Sequence, residues 1–286
     1  MKGCNCLHAN SARTTDPSRT IGLRRQFEAE VRRRFVAVRK ALRAEVPKVM
    51  RGVVVNRSYD FPSSQVRKAV FMDWFEGVIN KEILDGMMDA PASEIRQRAW
   101  TNKYAQRAYS RGLNRAASQM SAGGATVRPT YPTNALRRGF HRDRLETAYT
   151  RAFNDLKDIT SEMSDQIGDV LAQSLADGRH VNEAARMLSD RVNKIGITRA
   201  RLLARTEVIN AHAEAQLNAF EDAGLSGVQL DPELVTAGDT RVCEICEDAA
   251  RLHYTPSAAH GMIPLHPNCR CAWAPVVVRG HEIELN

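Results

Sequence analysis

A helical spacing of apolar residues runs through most of this chain and stops at Gly224, and it limits the fold more than any other feature. Between residues 19 and 224, apolar side chains recur every three or four positions, as they do along the buried face of an amphipathic helix. After Gly224 come β-branched residues, Pro232 and a Gly-Asp turn, which favour short strands. The sequence therefore predicts a mainly α fold: a helical body with a small β-containing, Cys-rich C-terminal subdomain.

The helical spacing is clearest in three N-terminal segments. The first begins after the start signals Asp16 and Pro17, and its apolar positions are Phe27, Val31, Phe35, Val38, Leu42 and Val46. A second helix is predicted over residues 65–86, with Val66, Val70, Phe71, Trp74, Val78, Ile79 and Ile83 at helical spacing. A third, over residues 93–121, has Ile95, Trp100, Tyr104, Ala108 and Leu113 as inward positions.

Composition divides the chain into four parts. Residues 121–134 contain two glycines, two prolines and several small polar residues, which is typical of a linker. We therefore predict a flexible tail over residues 1–18, a basic helical region over 19–120, the linker over 121–134, and a C-terminal domain over 135–286.

Positive charge is concentrated in the first predicted helix. The formal net charge is +8, which favours a polyanionic partner without defining a fold. Two interpretations remain open for this helix, a solvated face and a surface that contacts phosphate or an acidic protein. The candidates for such contacts are Arg24, Arg25, Arg32, Arg33, Arg34, Arg39 and Lys40. In the third helix aromatic residues alternate with arginines, and burial explains them better than base stacking does.

The chain is long enough, at 286 residues, to bury a core without disulfides. It has no secretory leader pattern and no apolar run approaching the roughly 18 residues of a membrane span. We therefore expect folding in a cytosol and no membrane partner. In that compartment, cysteine clusters are metal ligands or redox groups more often than structural bridges.

Four of the six cysteines lie within residues 242–271, "VCEICEDAARLHYTPSAAHGMIPLHPNCRC". Cys243 and Cys246 form a C-x-x-C pair, and His266, Cys269 and Cys271 follow, which gives five donors for the four positions around a tetrahedral zinc ion. We predict a closed, structural Zn²⁺ site made by four of these five residues. Reduced buried thiols without metal, or disulfides and redox chemistry, are the alternatives.

Three stretches together resemble a known family. "LLARTEVINAHAEAQLNAFEDAG", "TAGDTRVCEICEDAARLHY" and "IPLHPNCRC" are similar to the signature of the Mu F-like phage head morphogenesis proteins, over about residues 140–280. The resemblance implies a non-enzymatic minor head protein of a tailed phage or prophage, which takes part in capsid assembly. Its expected partners are the portal protein, the major capsid or scaffold protein, and packaged DNA bound without sequence specificity. Its expected location is the virion head, after assembly in the host cytoplasm.

The resemblance also draws attention to three polar residues. Arg205 and Glu207 would link the last long helix to the Cys-rich subdomain, or would be ordinary charges on the helix surface. Asp239 would accept backbone N–H groups of its loop, or pair with Arg241 or Arg270.

Two other functions fit parts of the sequence. A DNA-binding regulator would use the arginine-rich helix, but no compact recognition module accompanies it. A zinc-dependent nuclease would use the His and Asn of "HPNCRC", but it needs a following helix that the sequence does not predict. Cys4 and Cys6, in the polar tail, are interpreted as flexible thiols, with a metal role as the alternative.

Overall fold

The structure is a computed structural model that describes residues 16–51, 64–225, 229–279 and 284–285. Cys4 and Cys6 lie outside the described residues. Its helices are α1 (Ile21–Arg51), α2 (Ser64–Glu82), α3 (Ala92–Arg98), α4 (Asn102–Ala122), α5 (Tyr131–Ala135), α6 (Gly139–Ala176), α7 (Val181–Arg191), α8 (Thr198–Leu225), α9 (Glu244–Ala249) and α10 (Pro256–Ala259), with a π-helical turn (Val192–Ile197) between α7 and α8. The strands are β1 (Thr126–Val127), β2 (Gln229–Val235), β3 (Ala272–Arg279) and β4 (Glu284–Leu285). This confirms the mainly α fold with a small β-containing C-terminal part. No helix among the described residues is long and apolar enough to cross a membrane.

The chain forms two compact units that alternate along the sequence. Unit 1 consists of Met1–Gln26, Thr101–Tyr149 and Arg205–Asn286, and unit 2 of Phe27–Trp100 and Thr150–Ala204. Residues 121–134, where the sequence predicted a linker, lie inside unit 1, and the side chain of Tyr131 is fully buried there. Burial of Tyr131 gives this Gly- and Pro-rich segment a packing role that its composition does not indicate.

Unit 2 is built around apolar helix faces. The predicted inward residues of α1, from Phe27 to Val46, are all at most 1% exposed, as helical spacing requires. Phe71, Phe75, Ile79 and Ile83 bury the matching face of α2. In the π-helical turn, Gly196 packs so tightly against the ring of Phe35 that a Cβ atom there would collide with the ring. Side-chain packing of this kind is therefore the main source of cohesion in unit 2.

Two details of the predicted helices in unit 2 were wrong. Val66 and Val70 are 50% and 65% exposed, although they share the helical spacing of the buried residues. The helix predicted over residues 93–121 is interrupted between Arg98 and Asn102. At the interruption Trp100 packs edge-on against Phe27 and donates its indole N–H to the carbonyl of Ile83 at 2.8 Å. Tertiary contacts of one residue thus override a continuous helical pattern.

The centre of unit 1 is helix α8. From Glu207 to Phe220 every residue except Glu214 is buried, so the helix is enclosed on nearly all sides. Helix α4 crosses it closely, because Gly112 lies against the backbone carbonyl of His212 and leaves no room for a Cβ atom. Helix α8 therefore provides a rigid element on which the rest of unit 1 can be fixed.

Two short strands frame the Cys-rich segment in unit 1. Strands β2 and β3 pair in antiparallel fashion, with Leu234 opposite Trp273 and Val235 opposite Ala272. The side chain of Trp273 is 1% exposed and packs against Tyr254 at 5.5 Å between ring centroids. Strand β1 pairs in parallel with β4. Because β2 leads into Cys243 and β3 follows Cys271, the sheet brings the two ends of the Cys-rich segment together.

Candidate metal centre

Two tight turns present the sulfur and imidazole donors. Cys243 begins α9, and its carbonyl accepts the backbone N–H of Cys246 at 3.0 Å, so the two thiols of the C-x-x-C pair face the same side. In the second turn the backbone N–H of Cys269 donates to the carbonyl of His266 at 3.1 Å. Asn268 completes that turn with a left-handed backbone (φ 65°), which Asn tolerates better than most residues.

These turns bring all five predicted donors together. The Nε2 atom of His266 lies 3.1 Å from Sγ of Cys246 and 3.3 Å from Sγ of Cys243. Cys246 also belongs to a second group with Cys269 and Cys271, and the donor atoms within each group lie within 4.8 Å of one another. Bonds of about 2.3 Å to sulfur and about 2.0 Å to nitrogen would separate the donors of a tetrahedral zinc ion by about 3.5–3.8 Å. The cluster thus has the composition of a metal centre, and Cys246 is shared by two overlapping groups of three donors.

The ring of His266 is oriented for coordination through Nε2. Its Nδ1 atom lies 2.8 Å from the carbonyl oxygen of Pro267, to which it can donate only as Nδ1–H. In neutral imidazole this leaves Nε2 unprotonated, with its lone pair directed at the thiols. A hydrogen bond from the distal ring nitrogen to a backbone carbonyl is a common support for histidine ligands.

Without a cation the thiols hold their protons unequally. Burial raises the pKa of Cys246 to about 12, while a hydrogen bond from Cys271 lowers the pKa of Cys269 to about 5. The same hydrogen bond, with burial, raises the pKa of Cys271. Cys246, Cys269 and Cys271 are at most 3% exposed, so deprotonating several thiols here requires a compensating positive charge.

A row of polar side chains on α8, which we call the α8 clasp (Asn210, Glu214, Gln216 and Glu221), holds the Cys-rich segment. Asn210 donates to the carbonyl of Ile263 at 3.2 Å. Gln216 binds both backbone groups of Trp273, accepting its N–H at 3.2 Å and donating to its carbonyl at 2.7 Å. The sequence reasoning missed these residues, and their signal was a series of polar positions in a helix otherwise rich in Ala and Leu.

The two glutamates of the α8 clasp hold His260. Its Nδ1 lies 2.6 Å from Glu214 and its Nε2 lies 3.1 Å from Glu221, and the backbone N–H of Gly261 donates to Glu214 at 2.8 Å. The hydrogen bond with Glu214 raises the pKa of His260. The side chain of His260 is only 17% exposed, so it is not a solvated loop histidine.

Asp239 makes all of the contacts considered for it. Its carboxylate accepts the backbone N–H of Arg241 at 3.1 Å and is bridged by Arg270 at 2.6 and 2.7 Å. The Arg270 and Arg241 guanidinium groups hold its pKa well below the usual range. Because Arg270 lies between Cys269 and Cys271, this pair fixes the loop before Cys243 to the last two thiols.

Arg205 and Glu207 lie in different surroundings on α8. Arg205 donates to the side-chain oxygen of Asn268 at 2.9 Å, which connects α8 to the turn between His266 and Cys269. Glu207 is 5% exposed, so it is not an ordinary surface charge.

The basic residues of α1 fall into two groups. Three of them bind groups outside α1: Arg24 with Asp16 at 3.1 Å, Arg34 with Asp85 at 2.6 Å, and Arg39 with Asn193 at 2.9 Å. Arg33 pairs with Glu30 of its own helix at 3.5 Å. Arg34 also stacks over the ring of Trp100. The other four are exposed: Arg25, Arg32, Arg33 and Lys40.

Comparison with known proteins identifies one family. The model of the phage Mu protein F like protein family matches residues 165–274, which include the α8 clasp and all five donors. The resemblance found in the sequence is thereby confirmed for this region. Neither a curated protein nor a solved structure shows a significant match to the chain.

Proposed function

Because residues 165–274 form a phage Mu protein F-like region, we propose that this protein is a minor head protein that takes part in capsid assembly. It acts without catalysing a reaction and binds the portal protein and the major capsid or scaffold protein. It assembles in the host cytoplasm and remains in the virion head. The family match carries this proposal, and the position of the metal centre inside the matched region supports it.

We propose that the metal centre holds a structural Zn²⁺ ion through four of Cys243, Cys246, His266, Cys269 and Cys271. Thiolate and imidazole donors suit zinc better than Mg²⁺ or Ca²⁺, which prefer oxygen. The short strands and the α8 clasp bring the donors together, and the ion would join the segment around α9 to the segment before β3. Such a link stabilises a piece of chain too small to form its own core.

The exposed basic residues of α1 support contact with an anionic partner. Arg25, Arg32, Arg33 and Lys40 can approach packaged DNA without first breaking an internal contact to a buried group. Arg24, Arg34 and Arg39 are held by groups of the protein itself, so the proposed phosphate contact of α1 depends on the exposed four.

The assembly role is tested in heads produced with and without the protein. Expression with the portal and capsid proteins of the same phage is expected to place a low copy number of this protein in purified heads. The Cys246→Ser variant is expected to be missing from them. Heads that assemble normally and contain no copy of the wild-type protein would show that the proposed function is wrong.

Metal content with thiol counting tests the zinc site separately. Protein purified under reducing, chelator-free conditions is expected to contain about one zinc ion per chain. A chain without metal whose thiols all react would refute the zinc site while leaving the family match intact.

A further inference from the structure

Helix α4 carries a line of basic residues that we call the α4 stripe (Lys103, Arg107, Arg111 and Arg115). They follow one another at four-residue intervals, so they lie on one face of the helix. At a rise of about 1.5 Å per residue they extend over about 18 Å. Helix α4 contains no Asp or Glu, so no carboxylate of the same helix neutralises them.

The arginines of the stripe have no carboxylate partner among the described residues, whereas Lys103 lies over the ring of Tyr104. In the part of the chain that the structure describes, Arg107 and Arg115 make no hydrogen bond or ion pair. Nε of Arg115 is buried without a partner, and burial together with the positive charge of Arg19 lowers the pKa of Arg115. Arg111 donates to the backbone carbonyl of Arg19 at 3.4 Å, which brings a fifth cation beside the stripe.

The elements packed behind the stripe supply little negative charge. His212 on α8 is 1% exposed, its Nε2 has no partner among the described residues, and burial lowers its pKa to about 3, so it is neutral. Asp16, the carboxylate near these groups, is engaged by Arg24, Ser18 and the backbone N–H of Ile21. Like charges gathered in this way repel one another, and an external anion would remove that repulsion.

We propose that the α4 stripe, with Arg19 beside it, binds the phosphodiester backbone of double-stranded DNA without reading its sequence. Phosphates on one strand advance by about 3.4 Å per nucleotide along the duplex axis, so the stripe is as long as the rise of about five nucleotides. Arginine guanidinium groups bind phosphate oxygens in pairs. The aromatic residues of α4, Tyr104 and Tyr109, are at most 4% exposed, so they offer no platform for stacking unpaired bases.

The choice of DNA as the polyanion rests on the proposed function, since a phage head is filled with packaged DNA. The inference goes further than that function because it moves the main contact from α1 to α4. In α1, four of the seven candidate cations are bound to partners within the protein, whereas the side chains of Arg107 and Arg115 have none among the described residues.

Salt-dependent binding of the full-length, metal-replete protein to a mixed-sequence duplex of about 30 base pairs tests the proposal. Each lost phosphate contact lowers the slope of log K against log salt by about 0.9. We expect the double substitution Arg107→Gln, Arg111→Gln to lower the slope by about 2 and to weaken binding to unrelated duplexes equally. The matched control, Arg137→Gln with Arg142→Gln, removes the same charge from exposed positions outside α1 and α4 and is expected to change the slope by less than about 0.5.

Three results would overturn the proposal. They are an unchanged slope in the α4 variant, a loss in the control variant as large as that in the α4 variant, and an α4 variant that binds DNA normally yet is missing from heads. The last would show that the stripe contacts an acidic protein. The α4 variant and the control variant both replace exposed side chains, so we expect equal thermal unfolding temperatures. Equal temperatures would show that a difference between their salt slopes does not come from a loss of folding. If the slope falls as expected but the wild-type protein is absent from heads, the DNA contact stands and the proposed assembly role fails.

Discussion

The centre of unit 2 consists of Phe, Ile, Leu and Val side chains spaced along helices, whereas unit 1 adds four thiols, an imidazole and the α8 clasp to its apolar core. Apolar packing is distributed over many contacts, so one residue contributes only a part of it. A metal centre concentrates its contribution to the free energy of folding in a few ligand atoms. The two units should therefore respond differently to mutation, chelation and pH.

Removing the central thiol should have the largest effect. Cys246→Ser takes away the donor shared by both groups of the cluster, and structural zinc contributes about 10–16 kcal/mol in small zinc-binding peptides. That exceeds or equals the total stability of most domains, so we expect loss of zinc and unfolding of the segment from α9 to β3. Metal analysis and limited proteolysis would measure both.

Ala249→Ser is the matched control for this change. It introduces the same hydroxyl group into α9 and removes no donor, so zinc content should stay at the wild-type level. A Cys246→Ser protein with full zinc content and wild-type protease resistance would contradict the difference that we draw between the units.

An apolar truncation should affect unit 2 without touching the metal. Phe35 is fully buried, and Phe35→Ala is expected to lower the free energy of unfolding by about 3–5 kcal/mol. Denaturant unfolding measures the loss, and zinc content should remain about one per chain. Ala37→Gly, on the same helix but only partly buried, is the control and should cost about 1 kcal/mol. Zinc loss in Phe35→Ala would mean that the two units are not stabilised separately.

The α8 clasp gives a smaller effect in unit 1. Gln216→Ala leaves the buried backbone N–H of Trp273 without an acceptor, which costs about 1–3 kcal/mol. Gln119→Ala removes a 3.4 Å contact to the carbonyl of the same residue and a 3.1 Å hydrogen bond from Gln216, but it leaves the N–H of Trp273 with its acceptor and should cost less. Equal unfolding free energies for the two variants would show that Gln216 does not fix β3.

Periodicity predicted the helices well because burial of one face determines spacing. All of the inward positions chosen in α1 are buried, and so are Ile95, Tyr104 and Leu113. The pattern failed at Val66 and Val70, which are exposed although they share the spacing of buried residues, and at Trp100, whose indole contacts interrupt a helix. Neither local propensity nor spacing contains this tertiary information.

The sequence predicted which five residues are candidate metal donors, but it did not predict the contacts that hold them in place. Thiol and imidazole spacing indicated five candidates, since ligand chemistry leaves a local signature. The α8 clasp was not predicted, because a polar residue in a buried helix has no recognisable partner until the fold brings one to it. Arg34 and Arg39 illustrate the same limit, as their partners Asp85 and Asn193 are distant in sequence.

The smallest expected difference between the two units is in how the unfolding temperature depends on pH. Because the pKa of His260 is raised above its ordinary value of 6.5, its ion pairs with Glu214 and Glu221 are fully present below that pH. They are lost as pH rises through the raised pKa, so the unfolding temperature of unit 1 should fall over that range. The loss should stay below about 1 kcal/mol, as is usual for ion pairs near the surface.

Glu214→Gln tests this pH effect, because it removes the hydrogen-bonded partner that raises the pKa most. With zinc kept saturating, its unfolding temperature should depend less on pH above the ordinary imidazole range. His253→Gln replaces an exposed histidine of the same segment and should follow the wild-type curve. If Glu214→Gln kept the wild-type pH dependence, the stability of unit 1 at alkaline pH would depend on the thiols and not on the pairing of His260. Of the α8 clasp, only Asn210 and Gln216 would then stabilise unit 1.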